Sequence, residues 1–231
     1  MEHKKEKEIT RDELRREFQL ERMILFSDAV FAIVMTLMAI EIQLPSMSQR
    51  DITDEVFMGE LVHVLPPLIA YATTYAFIGI IWYKHLHIFS LLRDYDKGLV
   101  IRNLVVLFLV GLFPFSVTLV AKVHNISLLP MYIYIGVILS CRIAQYFLND
   151  YILIRKPDLR VKMDIQKELD QHRDHRFWLI SISIVVVLMI ITNQNIKDPD
   201  YRSLSFAWFL LVPLMRKILG KFRKRKMKKA I

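Results

Sequence analysis

The sequence predicts an all-α fold, a polytopic membrane protein with six transmembrane helices and both termini in the cytoplasm. Three observations carry that prediction. The chain is 54% hydrophobic with a mean hydropathy of +0.34, yet 24% of its 231 residues are charged. The charges collect in blocks between apolar runs, as in a chain that crosses a bilayer repeatedly. Lys and Arg crowd one set of connections and nearly desert the other.

The apolar runs fall at roughly 23–44, 61–83, 100–121, 128–151, 177–195 and 203–219, each near the ~20 residues that span a hydrocarbon core. The first follows a charged segment, 1–22, too polar to be a cleavable signal peptide. The second is expected to continue as helix to about residue 91, beyond the membrane. Prolines stand near the ends of runs (Pro45, Pro66, Pro67, Pro130, Pro213) or inside one (Pro114), which membrane helices tolerate when neighbours satisfy the freed carbonyl. The sixth run is the shortest and ends where a basic tail, 220–231, begins. The pattern of the first run has no second copy, so the chain reads as a single repeat with one transmembrane domain over 23–219.

Orientation follows from the basic residues. Seven lie in 1–22, four in 84–102, seven in 152–176 and nine from Arg216 onward, while the other three connections hold only Arg50, Lys122, Lys197 and Arg202. That asymmetry places both termini inside. The tail "RKILGKFRKRKMKKAI" reads either as a topology determinant alone or as a surface for anionic lipid headgroups. Topology accounts for the charge and no recognition module accompanies it, so nucleic acid is not an expected partner.

Enzyme motifs are missing: no phosphate loop, dinucleotide glycine pattern, serine elbow or HExxH. The expectation is a non-enzyme with no cofactor and no resident metal. The single cysteine, Cys141, excludes an internal disulfide and a cysteine-based metal cage. His172 and His175 have a chelating spacing but sit in a charged segment that reads as a solvated face. The carbonyl-filter sequence TVGYG is absent too.

The first run, "ERMILFSDAVFAIVMTLMAIEIQL", is the informative one. At about 100° per residue, Arg22, Phe26, Ala29, Ile33, Thr36, Leu37 and Ile40 fall along one side of a helix, whereas Ser27 and Asp28 point away from it. Periodicity alone leaves the stripe open between ordinary helix packing and a special surface. Glu41 falls about 80° off the stripe, with Asp51, Asp54 and Glu55 following; these acids read equally as solvated loop residues or as a cation-concentrating mouth. A carboxylate within a span is costly and needs donors on other helices. Trp82, His85 and His87 at the end of run two, and Arg102 and Asn103 at the start of run three, share the depth of Asp28, so an Asp28–His85–Asn103 cluster is expected.

These residues carry a resemblance. Arg22-x3-Phe26-Ser27-Asp28, followed by Ala32-Ile33 and Thr36-Leu37, resembles the RxxxFSD first-helix signature of the prokaryotic lysosomal-type potassium channel family, transmembrane protein 175. The Trp82-x2-His85-x3-Phe89 spacing, and Asn103 with "LFPF" in run three, are similar to that family as well. The resemblance implies a potassium-selective cation channel, a homotetramer of six-helix subunits whose first helices line a central pore, with K⁺ as the permeant ion. By position it implies hydrophobic constriction rings at Ile33, Leu37 and Ile40 and a hydroxyl ring at Thr36, Ile40 standing where a leucine is common. It also implies a bracing network of Arg22, Phe26, Ser27, Asp28, Trp82, His85 and Asn103 that sets the tilt of the pore helix. The expected location is the plasma membrane, the inner membrane of a bacterium. A proton- or ion-coupled transporter with Asp28 and His85 as a relay is the alternative, although transporters usually show internal repeats and broken midplane helices. A non-conducting membrane scaffold is the other.

Overall fold

The computed structural model describes residues 11–40, 42, 53–123, 128–161 and 164–196. Among them every regular element is helical, and the only strand-like feature is an isolated antiparallel bridge between Leu92 and Arg160. The chain divides into two compact units, Met1–Lys162 and Met163–Ile231.

The first unit holds α1 (Arg11–Ile40), α2 (Asp54–Phe89), α3 (Lys97–Gly111), α4 (Phe113–Val123) and α5 (Leu129–Asp150), then a π-helical turn over Tyr151–Arg155 and a 3₁₀ turn over Pro157–Leu159. α1 starts well before the apolar run. Residues 11–22 are rich in Arg, Glu, Leu and Gln, which lose little side-chain freedom in a helix, so the charged segment continues the span as helix. α2 likewise begins before its run, passes through Pro66 and Pro67, and ends at Phe89, near the expected point.

The third run is not one helix. α3 stops at Gly111 and α4 restarts at Phe113, with Leu112 between them. Pro114 explains the break: it has no N–H to give to Val110, and its ring crowds the preceding turn. The Leu112 amide turns back to the Leu109 and Val110 carbonyls, which gives the carbonyl left by Pro114 a partner, and within α4 the Ser116 and Thr118 hydroxyls donate to the Phe113 and Pro114 carbonyls at 2.9 and 2.8 Å.

α5 packs on α3 and α4, and α1 packs against α2, α3 and α4. Phe31, Val34 and Met38 of α1, Ile78 and Ile81 of α2, and Val106 and Val110 of α3 are buried. One end of this unit is pinned by short connections. Asp96 caps α3 by accepting from the Leu99 amide at 2.7 Å and takes the Tyr151 hydroxyl at 2.6 Å. The Arg102 guanidinium lies 3.9 Å over the Tyr151 ring. A Cβ at Gly98 would collide with the Tyr151 hydroxyl, so a larger residue there would force that ring to move. The Arg93 amide donates to Leu159, the Val161 amide to Leu91, both at 2.8 Å, and Arg16 of α1 reaches Asp94 at 2.9 Å.

The second unit contributes α6, Gln166–Asn195. It contains the fifth apolar run. His172 at its charged start is buried rather than solvated. Among the described residues, four stretches are long and apolar enough to cross a membrane: Leu14–Ile40, Lys97–Ala121, Leu129–Arg155 and Gln166–Asn195. α2, at 36 residues, also has the length and carries no Asp, Glu, Lys or Arg between Leu61 and Tyr83. The sixth run and the basic tail lie outside the described residues.

Candidate functional site

The site is built where α1, α2 and α3 meet, and its hydrogen bonds have a single consistent direction. The Met23 carbonyl can only accept, so the Ser27 hydroxyl donates to it, at 2.8 Å. Ser27 Oγ is then left to accept from Asn103 Nδ2, at 2.8 Å. That orients the Asn103 amide, turning its Oδ1 toward His85 Nε2 at 2.9 Å. His85 Nε2 must therefore carry the proton. Ser27, Asn103 and His85 are each at most 1% exposed, so the chain closes without water. The imidazole is held between Phe89, stacked at 4.1 Å between centroids, and Phe31, tilted at 5.4 Å.

Asp28 belongs to a second, adjoining contact. Its Oδ1 accepts the Trp82 indole N–H at 2.8 Å, at a half-buried position. The expected Asp28–His85–Asn103 cluster is thus corrected: Ser27, one residue earlier, is what meets Asn103, and Asp28 meets Trp82. The reason is the ~100° turn between adjacent residues, which aims Ser27 at α3 and Asp28 at α2. His87 is exposed, and Arg102 turns to the Gly98 carbonyl at 2.9 Å and to Tyr151.

In the protomer Arg22 and Phe26 stand on the exposed side of α1, with Arg22 5.8 Å over the Phe18 ring, apart from the buried cluster. Positions 22, 26, 29 and 33 run along one line of the helix, so a residue of that line cannot also face α2 and α3.

The remaining residues sit on that same exposed line. Ile33 is 56% exposed, Leu37 45% and Ile40 69%, while their neighbours Val34 and Met38 are buried. Thr36 shares the exposed face. Its hydroxyl donates into its own helix, 3.1 Å from the Ala32 carbonyl and 2.9 Å from that of Ile33. The proton is spent on the backbone, leaving acceptor lone pairs on the exposed side. Of the acids expected near the mouth, Asp54 is exposed at the start of α2; Glu41, Asp51 and the side chain of Glu55 lie outside the described residues. Among the described residues no group of three metal-ligating side chains occurs. The sequence reading did not identify the Met23 carbonyl or the Phe31–Phe89 clamp on His85. A backbone acceptor leaves no sequence signal, although Phe31 and Phe89, at helical spacing from Ser27 and His85, do.

Residues 22–114 match the family model of the endosomal/lysosomal potassium channel TMEM175. The resemblance carried by the RxxxFSD run holds, and the TMEM175 match takes in the whole cluster and the whole exposed line. A potassium channel of Chamaesiphon minutus is 33% identical over 126 residues, which is 53% of this chain and 61% of the relative. The chain thus spans about three fifths of the length of that relative. A potassium channel of Chryseobacterium sp. is 26% identical over 163 residues, 70% of this chain and 80% of the relative. The endosomal/lysosomal proton channel TMEM175 of Mus musculus is 32% identical over 100 residues, 42% of this chain and 20% of its own length. These relatives are ion channels, not enzymes. The crystal structure of a lysosomal potassium-selective channel TMEM175 homolog from Chamaesiphon minutus matches with a TM-score of 0.61 at 23% identity, covering 90% of this chain and 97% of that one. The chain therefore has the fold of a TMEM175 homolog and is a multi-pass helical membrane protein.

Proposed function

We propose that the chain is a potassium-selective cation channel in which four copies place the exposed line of α1 around a central pore. The observation that carries this reading is the division of α1. Ile33, Thr36, Leu37 and Ile40 have no cover in the protomer, while the opposite side is tied down by Ser27 and Asp28. The TMEM175 match over the same residues and the potassium-channel names of two relatives support it.

In this reading Ile33, Leu37 and Ile40 form apolar rings that conduct or close by wetting and dewetting. K⁺ sheds part of its hydration shell more cheaply than Na⁺, so a narrow apolar ring favours it. The Thr36 lone pairs, one set from each copy, offer oxygen where water has been stripped. Ser27, Asp28, Trp82, His85 and Asn103 brace the pore helix without touching the ion. Six spans are completed by run 203–219, with both termini in the cytoplasm of a bacterial inner membrane and the basic tail against anionic lipid, as the Lys and Arg distribution supports.

The test is passive flux from liposomes holding K⁺ or Na⁺, with native mass spectrometry of the same preparation. Four-copy particles that release K⁺ faster than Na⁺ are expected. Saturable, pH-coupled flux would assign a transporter instead, and absence of flux a scaffold.

A further inference from the structure

The bracing cluster does not end at α2. On α5, Gln145 is wholly buried and Arg142 is 6% exposed. Arg142 donates from a terminal guanidinium nitrogen to Gln145 Oε1 at 3.1 Å, and Gln145 Nε2 donates to the Ile81 carbonyl at 3.1 Å. The orientation of this amide is forced. A guanidinium has no acceptor and a carbonyl no donor, so Gln145 must turn its oxygen to Arg142 and its nitrogen to Ile81. Ile81 directly precedes Trp82, whose indole holds Asp28, and lies one helical turn before His85.

We infer that Gln145, oriented by Arg142, is a positioning residue for the α2 turn that presents Trp82 and His85 to the pore helix. Within a span there is no water to replace such a bond, and polar side chains persist there where they are used. An uncommitted amide would flip between two orientations, only one of which holds the Ile81 carbonyl. The Arg142 contact removes the choice. The polar path then runs from α1 through α3 and α2 to α5, so that α5 helps set the tilt of α1. The positional claim stands on these contacts alone; its consequence for ion selection rests on the channel reading above.

Two variants separate positioning from packing. Gln145→Glu keeps size and shape and strengthens the contact with Arg142, but sets a carboxylate oxygen against the Ile81 carbonyl. The double variant Arg142→Leu/Gln145→Leu removes both polar groups together, so that neither is left orphaned. The readout is the indole N–H resonance of Trp82 in the full-length protein with Trp178 and Trp208 changed to Phe, with Asp28→Ala marking the position of the freed indole. Both variants should move the Trp82 resonance at least halfway toward that mark, because a hydrogen bond weakens steeply once its geometry slips. In liposomes both should lose preference for K⁺ over Na⁺. A Trp82 resonance that stays in place in whichever variant folds overturns the proposal and leaves Gln145 as a satisfied packing residue. A protein that passes no K⁺ at all defeats the channel reading instead, and the resonance still decides the positional one.

Discussion

The two faces of α1 differ in what completes them. On one, Ser27, Phe31, Val34 and Met38 are buried, and Ser27 and Asp28 are tied by hydrogen bonds to α3 and α2. On the other, Ile33, Leu37 and Ile40 project from the protomer. Apolar burial does little to hold helices together inside lipid, since the tails are as apolar as leucine; packing and interhelical hydrogen bonds do that work. The polar face therefore specifies where the helix stands, and the apolar face is left to serve something else. Depth does not decide which role a residue takes. Ile33 and Val34 are adjacent and belong to opposite faces.

The largest effect expected is on the buried face. Asn103→Leu strands the His85 Nε2–H, at about 1–3 kcal/mol, and removes the bond to Ser27, for about 1 kcal/mol more. Asp28→Ala frees only the Trp82 indole, at a half-buried place, so its cost should sit at the low end of that range. Thermal unfolding of the two purified variants checks the order. If Asp28→Ala proved the more damaging, the Asp28–Trp82 contact would be the principal tie and Asn103 a bystander.

Part of this was legible in the sequence. The intramembrane carboxylate announced a need for donors, and the Lys and Arg counts set Trp82, His85 and Asn103 at its depth. The helical period separated the Ile33 line from Ser27 and Asp28. What it did not reveal was pairing. Ser27 and Asp28 are both short acceptors near the start of a span, and which one meets Asn103 depends on a ~100° rotation relative to a neighbour whose position only packing determines. Grouping Arg22 and Phe26 with the brace followed the motif, whereas the helical angle sets them on the exposed line of the protomer. The break at Leu112 was foreshadowed by Pro114, but a span interrupted for one residue still reads as one apolar run. Gln145 carried no signal at all, because its partners are a backbone carbonyl on another helix and an arginine whose place in a span invites other readings.

Adjacent positions give the sharper test. Val34→Asn buries an amide among apolar neighbours and should destabilise by about 1–3 kcal/mol with no gain of leak. Ile33→Asn changes an exposed position and should cost the protomer under about 0.5 kcal/mol. In liposomes it should hydrate the ring, raise flux and weaken discrimination against Na⁺. Equal behaviour of the two variants in that assay would mean the exposed line does not border the ion path. Thr36→Ala is a milder version of the same comparison. It removes lone pairs but no backbone partner that the helix needs, so folding should be unchanged while the reversal potential in mixed K⁺ and Na⁺ shifts toward that of a non-selective pore. An unshifted potential removes Thr36 from the selectivity reading.

The smallest effect expected lies at the pinned end of the unit, where α1 is also tied, through Arg16 and Asp94, two residues from Asp96. Burial raises the Asp96 carboxyl, but the Tyr151 hydroxyl, the Leu99 amide and the nearby Lys156 and Arg102 charges outweigh it and hold it below its usual range. A carboxyl lowered by folding adds stability that is fully present above its unfolded value, about pH 4, and is lost as pH falls through the lower folded value. The buried Ser27–Asn103 link contains no acid and should not share that response. Unfolding temperatures taken from neutral pH down to about pH 3 should therefore decline below about pH 4 in the parent protein, and decline less in Asp96→Asn, which still offers an oxygen to the Leu99 amide but carries no charge. Identical curves for the two proteins would show that the Asp96 charge contributes nothing to holding α3 against the Tyr151 turn.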